Sequence, residues 1–278
     1  MRKPLNLDRD TEVVDIEMGP AEGPAPYGAL FAEGDCRLTR FEPALVVDDF
    51  PKPRPGERFL PHLVGDGKDQ TLYVCAYPGL NSLLEPNPAV LALYPDLQRN
   101  GTVVRRVKDL RTRRLDEVTE IRLIDLLKVN MQGGELAVLR GGRQVLARVL
   151  AVHVDVAFVR LYKGQPTFGD IDLELRRLGL VPHHLLNAKY FVMAAGTPSY
   201  RNQGPSGQLI NGEMLYLRDL SRHDLMDDEQ LKHLAVICHH YGAHDEARFC
   251  MGVLEKRRAI PKETVLRYIE WLAAGAQP

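Results

Sequence analysis

The sequence predicts an α/β fold in which a largely parallel sheet is followed by an α-helical tail, and three observations carry the prediction. Residues 124–162, IDLLKVNMQGGELAVLRGGRQVLARVLAVHVDVAFVRLY, pass from an apolar strand through a Gly-Gly turn and an amphipathic helix into a second apolar strand. Upstream, short β-branched runs alternate with loops and one helix-like segment. Downstream of residue 227, Leu231, Leu234, Ile237, Cys238 and Tyr241 form one stripe at helical spacing, and Val265, Tyr268, Ile269 and Leu272 form another.

In chain order, residues 11–16 read as the first strand. A loop follows over 17–26, then a helix-like stretch over 27–33 and a second strand over 36–41 (CRLTRF). Pro51, Pro53, Pro55 and Gly56 mark a loop, and residues 58–64 and 71–76 read as strands around the turn Gly65-Asp66-Gly67-Lys68. NSLLEPN (81–87) leads into a short helix over 88–97 and a strand over 102–107. Arg105, Arg106, Lys108, Arg111, Arg113 and Arg114 crowd one stretch there, but Asp109, Asp116, Glu117 and Glu120 mix the signs, as on a solvated face. Residues 169–179 have helical spacing with Gly179 as the stop, and strands over 182–186 and 213–217 complete the sheet. The reading divides the chain into a sheet domain over 1–220 and a helical extension over 221–278.

The chain has 278 residues, enough for one large α/β domain with an appendage. With 36 Lys plus Arg against 37 Asp plus Glu, the formal net charge is −1. That balance argues against a general electrostatic footprint for nucleic acid or an anionic membrane. Cys36, Cys75, Cys238 and Cys250 are widely spaced without a CxxC pair, which suits reduced thiols in a cytoplasmic protein and gives no zinc motif. No stretch has the length of a signal peptide's apolar run or of a membrane span. His240 and His244 stand one helical turn apart, but no ExxH partner accompanies them, so no metal is expected. Tyr268 and Trp271 read as core anchors of the last helix.

Polar residues at the carboxyl edge of a parallel sheet are where open α/β folds bind ligands. Asn130, Gln132 and Glu135 close the first strand of the 124–162 unit. Asp15 ends the first strand of the chain, before Gly19 and Gly23. Glu42 ends the second, within FEP, and Asp66 sits in GDG. An acid in the position of Glu42 suits a pair of ribose hydroxyls.

These segments also carry a family resemblance. DIEMGPAEGPAPYGALFAEGDCRLTRFEP, LPHLVGDG, NSLLEPN, LLKVNMQGGE and FVRLYKGQPTFGDID occur in the order found in a branch of the FkbM methyltransferases, over about residues 12–219. The resemblance implies a Rossmann-like class I methyltransferase sheet with helices on both faces, S-adenosylmethionine as cofactor, and O-methylation of a hydroxyl on a sugar or secondary metabolite. It assigns Asp15, Gly19, Glu42, Asp66 and Gln132 to the cofactor, with Glu42 at the ribose and Asp66 near the adenine. Asn81, Ser82 and Glu135 are assigned to the acceptor, and Asn130, Asp155 and Glu213 to catalysis. The implied partner is a small-molecule or glycan acceptor, with no nucleic acid or membrane, and homo-oligomerisation stays open.

The chain departs from the family pattern in four places. Glu17 and Met18 stand where Gly-Ala is expected, Asn130 replaces an aspartate, Asp155 a glutamate and Glu213 an aspartate. An amide takes up no proton near neutrality, so a base at this edge would have to be Asp155 or Glu213. The alternative reading is a catalytically degenerate domain that keeps the fold as a binding or scaffold module.

Overall fold

Strand register organises the chain. The strands are β1 (Thr11–Glu17), β2 (Cys36–Phe41), β3 (Glu57–Leu60), β4 (Asp69–Cys75), β5 (Val103–Arg111), β6 (Leu126–Asn130), β7 (Ala151–Ala157), β8 (Leu180–Phe191) and β9 (Gln208–Arg218). The computed structural model describes residues 2–18, 25, 27–41, 52–193 and 207–275. The main sheet runs β3-β2-β1-β6-β7-β9-β8, while β4 and β5 form a separate antiparallel pair. Of the main-sheet strands, β9 alone runs opposite to the rest. The connections lead outward from β1 to β2 and β3 and, in the other direction, from β6 to β7. The strand order therefore reverses between β1 and β6, and a ligand crevice is expected above that reversal. This is the Rossmann-like methyltransferase sheet the sequence implied.

The helices are α1 (Arg2–Leu5), α2 (Gly28–Ala32), α3 (Pro88–Leu91), α4 (Pro95–Asn100), α5 (Glu135–Gly141), α6 (Phe168–Arg177), α7 (Asp228–His240), α8 (His244–Lys256) and α9 (Lys262–Ala273). Alternation along the strands sends Val14, Ile16, Leu127, Val129, Val152 and Val154 to one face, where they pack with Val138 and Leu139 of α5 and Ile171 and Leu175 of α6. Val13, Leu38, Leu126, Ala151 and Leu215 point to the other face. There they share a cluster with Leu30 of α2, Leu231, Leu234 and Cys238 of α7, and Cys250 and Leu254 of α8. Each fully buried side chain of this kind contributes about 1.5–3 kcal/mol, so α7 and α8 are part of the packing of this face. Gly141 lets α5 approach the GDG loop, since a Cβ there would lie 2.9 Å from the Gly65 carbonyl oxygen.

Three local expectations change. The strand expected over 58–64 stops at Leu60 because Pro61 has no N–H to donate, and Val64 forms only an isolated bridge with Arg113. It does not pair with 71–76, because β3 bonds to β2 and β4 bonds to β5. The helix expected over 88–97 splits into α3 and α4, since Pro95 forces Tyr94 into an extended conformation (φ −128°, ψ 101°). His240 and His244 do not share a helix: α7 ends at His240, Gly242 takes φ +72°, and α8 starts at His244. The stop at Gly179 is as expected, with φ +78°.

Candidate functional site

Strands covered on both faces by helices should be apolar throughout. On the face shared with α2, several strands break this rule toward the carboxyl edge of the sheet. The breaks come two residues apart, Asp15 and Glu17 on β1, Lys128 and Asn130 on β6, His153 and Asp155 on β7, and the antiparallel β9 supplies Asn211 and Glu213. Register brings them together. Arg40, Asp15, Lys128 and His153 lie side by side across four strands. Glu17 faces Asn130 at the strand-order reversal, and Asp155 faces Glu213.

The charges are paired. Lys128 Nζ lies 3.0 Å from Glu17 Oε2 and 3.6 Å from Asp15 Oδ1. Tyr27 OH donates to Asp15 Oδ2 at 2.5 Å, and Arg40 Nε approaches the same oxygen to 3.7 Å. Glu17 is therefore paired. Burial pushes its carboxyl above the usual range, with Lys128 opposing the shift. Burial would lower the Lys128 ammonium, but Asp15 and Glu17 together hold it above its usual value.

His153 Nε2 stands 3.3 Å from Glu213 Oε2, at ion-pair distance but off hydrogen-bond alignment. Its Nδ1 is 3.2 Å from Tyr241 OH. The His153 contact, with help from Asn187 and Lys128, keeps the Glu213 carboxyl below its usual range despite burial. Asp155 behaves oppositely. Burial, reinforced by the charges of Glu135 and Glu213, pushes it up to about 8, while Lys189 and the Asn211 amide only partly offset the rise. One carboxyl is thus ionised and the other holds a proton near neutrality, the separation that acid–base chemistry uses. These groups line a cavity of about 740 Å³ that also takes in Tyr27, Phe31 and Lys189, within the range of cofactor and ligand pockets.

Next to the cavity, the turn after β6 is built by Gln132 at φ +49° and Gly133 at φ +101°. Gln132 Nε2 donates to Asn130 Oδ1 at 2.9 Å, and Ser82 Oγ donates to the Gln132 carbonyl at 2.7 Å. Asn130, Gln132 and Ser82 are therefore one hydrogen-bonded group.

The structure thus unites Asp15, Asn130, Asp155 and Glu213 around one cavity. Gly19 and Glu42 lie outside the described residues. Three other expected binding residues have different work. Glu135 is enclosed, and its carboxylate accepts from the backbone N–H groups of Met131 and Gly133, closing its own turn. Asn81 Oδ1 accepts from Cys75 N–H, tying down the end of β4. Asp66 lies in a separate cavity with Gly133, Gly134 and Arg140, and its carboxylate binds Lys68 N–H, Gln70 and Thr112. Sequence reasoning passed over Tyr27, Arg40, Lys128 and His153. The signal for the strand residues was their alternate spacing within otherwise apolar strands.

The family model described as the methyltransferase FkbM domain matches residues 12–181. No curated protein matches the chain significantly. Among solved structures, a TehB-like SAM-dependent methyltransferase from Corynebacterium glutamicum is similar at 12% identity, covering 77% of this chain and 83% of that one, with a TM-score of 0.33. A precorrin-6y C5,15-methyltransferase from Geobacter metallireducens is similar at 13% identity, covering 78% and 84%, with a TM-score of 0.34. The magnesium protoporphyrin IX methyltransferase of Synechocystis, solved with bound SAM, has 10% identity over 76% and 71%, with a TM-score of 0.32. These overlaps are loose, and the strand order itself is the ground for the fold.

Proposed function

The chain belongs to the FkbM methyltransferase family, and from that premise we propose that it transfers a methyl group from S-adenosylmethionine to a hydroxyl oxygen of a small-molecule or glycan acceptor. The observation that carries this reading is the cavity above the strand-order reversal, where Asp15, Glu17, Lys128, Asn130, Asp155 and Glu213 meet.

The residues present suit this cofactor. Asp15 and Glu17 match its cationic groups, and Lys128 and Arg40 match its carboxylate. Asp15 Oδ1, buried and without a hydrogen-bond partner among the described residues, has acceptor capacity to spare. Glu42, at the end of the second strand in the sequence, is proposed to take the ribose hydroxyls. When bound, the cofactor supplies an electrophilic methyl on a sulfonium.

The protein's own part is alignment and removal of one proton. Asp155, in its ionised form, accepts the proton of the acceptor hydroxyl, since Asn130 has no basic oxygen to offer. Glu213, held ionised by His153, keeps a negative charge opposite Asp155 and so raises its proton affinity. Asn130 positions, its amide oriented by Gln132.

Calorimetric titration with S-adenosylhomocysteine tests the reading. Micromolar binding is expected, and weakening by roughly 10-fold or more in Glu42→Ala, the loss of a charge-assisted hydrogen bond. A folded protein that releases no heat favours the scaffold reading instead.

A further inference from the structure

At the opposite end of the sheet, three side chains from two distant parts of the sequence converge. Glu33 follows α2, Asp35 precedes β2, and His240 is the last residue of α7. One ligand atom from each lies within 4.8 Å of the other two. The His240 side chain is 0% exposed, and among the described residues neither ring nitrogen has a hydrogen-bond partner. Its Nε2 points toward the acids, 3.8 Å from Glu33 Oε2, beyond hydrogen-bond length. A buried polar nitrogen left unbonded bears its full desolvation cost, which a ligand on it would relieve.

We propose that Glu33, Asp35 and His240 form a binding site for a divalent transition ion of the zinc class. One imidazole and two carboxylates make a three-ligand zinc set, with a fourth position left for water. Calcium and magnesium sites rely on six or more oxygens, which this mixed set does not supply. Glu33 is half exposed and provides the entry path. Glu33 and Asp35 have other polar contacts as well, and a carboxylate with about four lone-pair sites can keep these and still ligate. An ion here would join the end of α7 to the corner between α2 and β2. α2 itself lines the cavity through Tyr27, Gly28, Phe31 and Ala32, so the site would steady that wall of the cavity. Its spacing matches no short motif, because the ligands meet only through tertiary packing.

The test uses the full, untagged chain, stripped with a chelator and titrated calorimetrically with Zn²⁺ and, separately, Mg²⁺. Co²⁺ serves as a spectroscopic probe of four-coordinate geometry. One equivalent of Zn²⁺ is expected to bind and to raise the melting temperature, and Co²⁺ to give a visible four-coordinate absorption. Glu33→Gln, at a half-exposed position the fold tolerates, should weaken Zn²⁺ binding roughly 10-fold or more. His240→Phe should abolish it. No Zn²⁺ binding by the wild-type chain overturns the proposal, as does unchanged affinity in Glu33→Gln, which would place the ion on other histidines. Preference for Mg²⁺ over Zn²⁺ overturns the assignment of metal class.

Discussion

The two faces of the central strands follow different rules. On the face covered by α5 and α6, Glu12 stands at the amino end of β1, but Val14, Ile16, Leu127, Val129, Val152, Val154 and Val156 keep the face apolar from there to the carboxyl edge. On the face covered by α2 and α7, Val13, Leu126 and Ala151 are apolar, but the next residues of the same sets are Asp15, Lys128 and His153, and then Glu17, Asn130 and Asp155. Burial in an α/β sheet normally excludes such residues. A polar row kept there at the cost of desolvation marks a site, because each charge must find a partner or shift its pKa. The apolar face teaches how the fold holds together, and the mixed face lines the cavity to which the chemistry is assigned in the proposal.

Neighbouring residues of one strand give the sharpest test. Lys128→Met leaves Asp15 and Glu17 without their central cation and should lower stability by about 3–5 kcal/mol, as for breaking a buried ion pair. Leu127→Ala, on the apolar face, should cost about 2–5 kcal/mol through its cavity. The two are told apart by denaturant unfolding at several pH values. The Lys128→Met loss should shrink toward mildly acid pH as Glu17, already raised above its usual range, takes up a proton. The Leu127→Ala loss should stay constant. A Lys128→Met loss that does not change with pH would mean the row is not an electrostatic unit.

Next in size is Asp155→Asn, expected to lower turnover by roughly 100-fold or more, the usual contribution of a general base. Wild-type turnover should rise with pH through about 8, where Asp155 loses its proton, and the variant should lack that limb. Stability should move the opposite way. Folded Asp155 keeps a proton that the unfolded chain releases at the ordinary aspartate pKa of about 4, so folding takes up a proton between there and about 8. Stability should fall with rising pH across that window and level off above it, and Asp155→Asn should flatten the slope.

The smallest expected effect belongs to Tyr27→Phe. Removing the hydroxyl that donates to Asp15 should cost about 1–3 kcal/mol, and S-adenosylhomocysteine affinity should change with it if Asp15 lines the cofactor site. Unchanged affinity alongside lost stability would restrict Asp15 to a structural role.

Local pattern was enough for much of the fold. The apolar runs around Val13 and Val129, the helix 169–179 with its glycine stop and the stripes of α7 and α9 record the periodicity of one element, and periodicity lies in neighbouring residues. The family motifs likewise pointed to the carboxyl edge of the sheet, and to Asp15, Asn130, Asp155 and Glu213 within it. The rest depended on partners far along the chain. That β3 pairs with β2 rather than β4 is a competition for backbone hydrogen bonds. That Glu135, Asn81 and Asp66 are held by nearby backbone and side-chain groups emerges only once their turns close. The counter-ion of Glu17 could not be named from the sequence, because Lys128 lies more than a hundred residues away and reaches it only through the β1–β6 register. Local pattern was thus enough for most of the elements and for the polar carboxyl edge of the sheet. Tertiary structure decided which charges neutralise each other there, because pairing energy depends on distance in space and on burial, and neither is written in the spacing of residues along the chain.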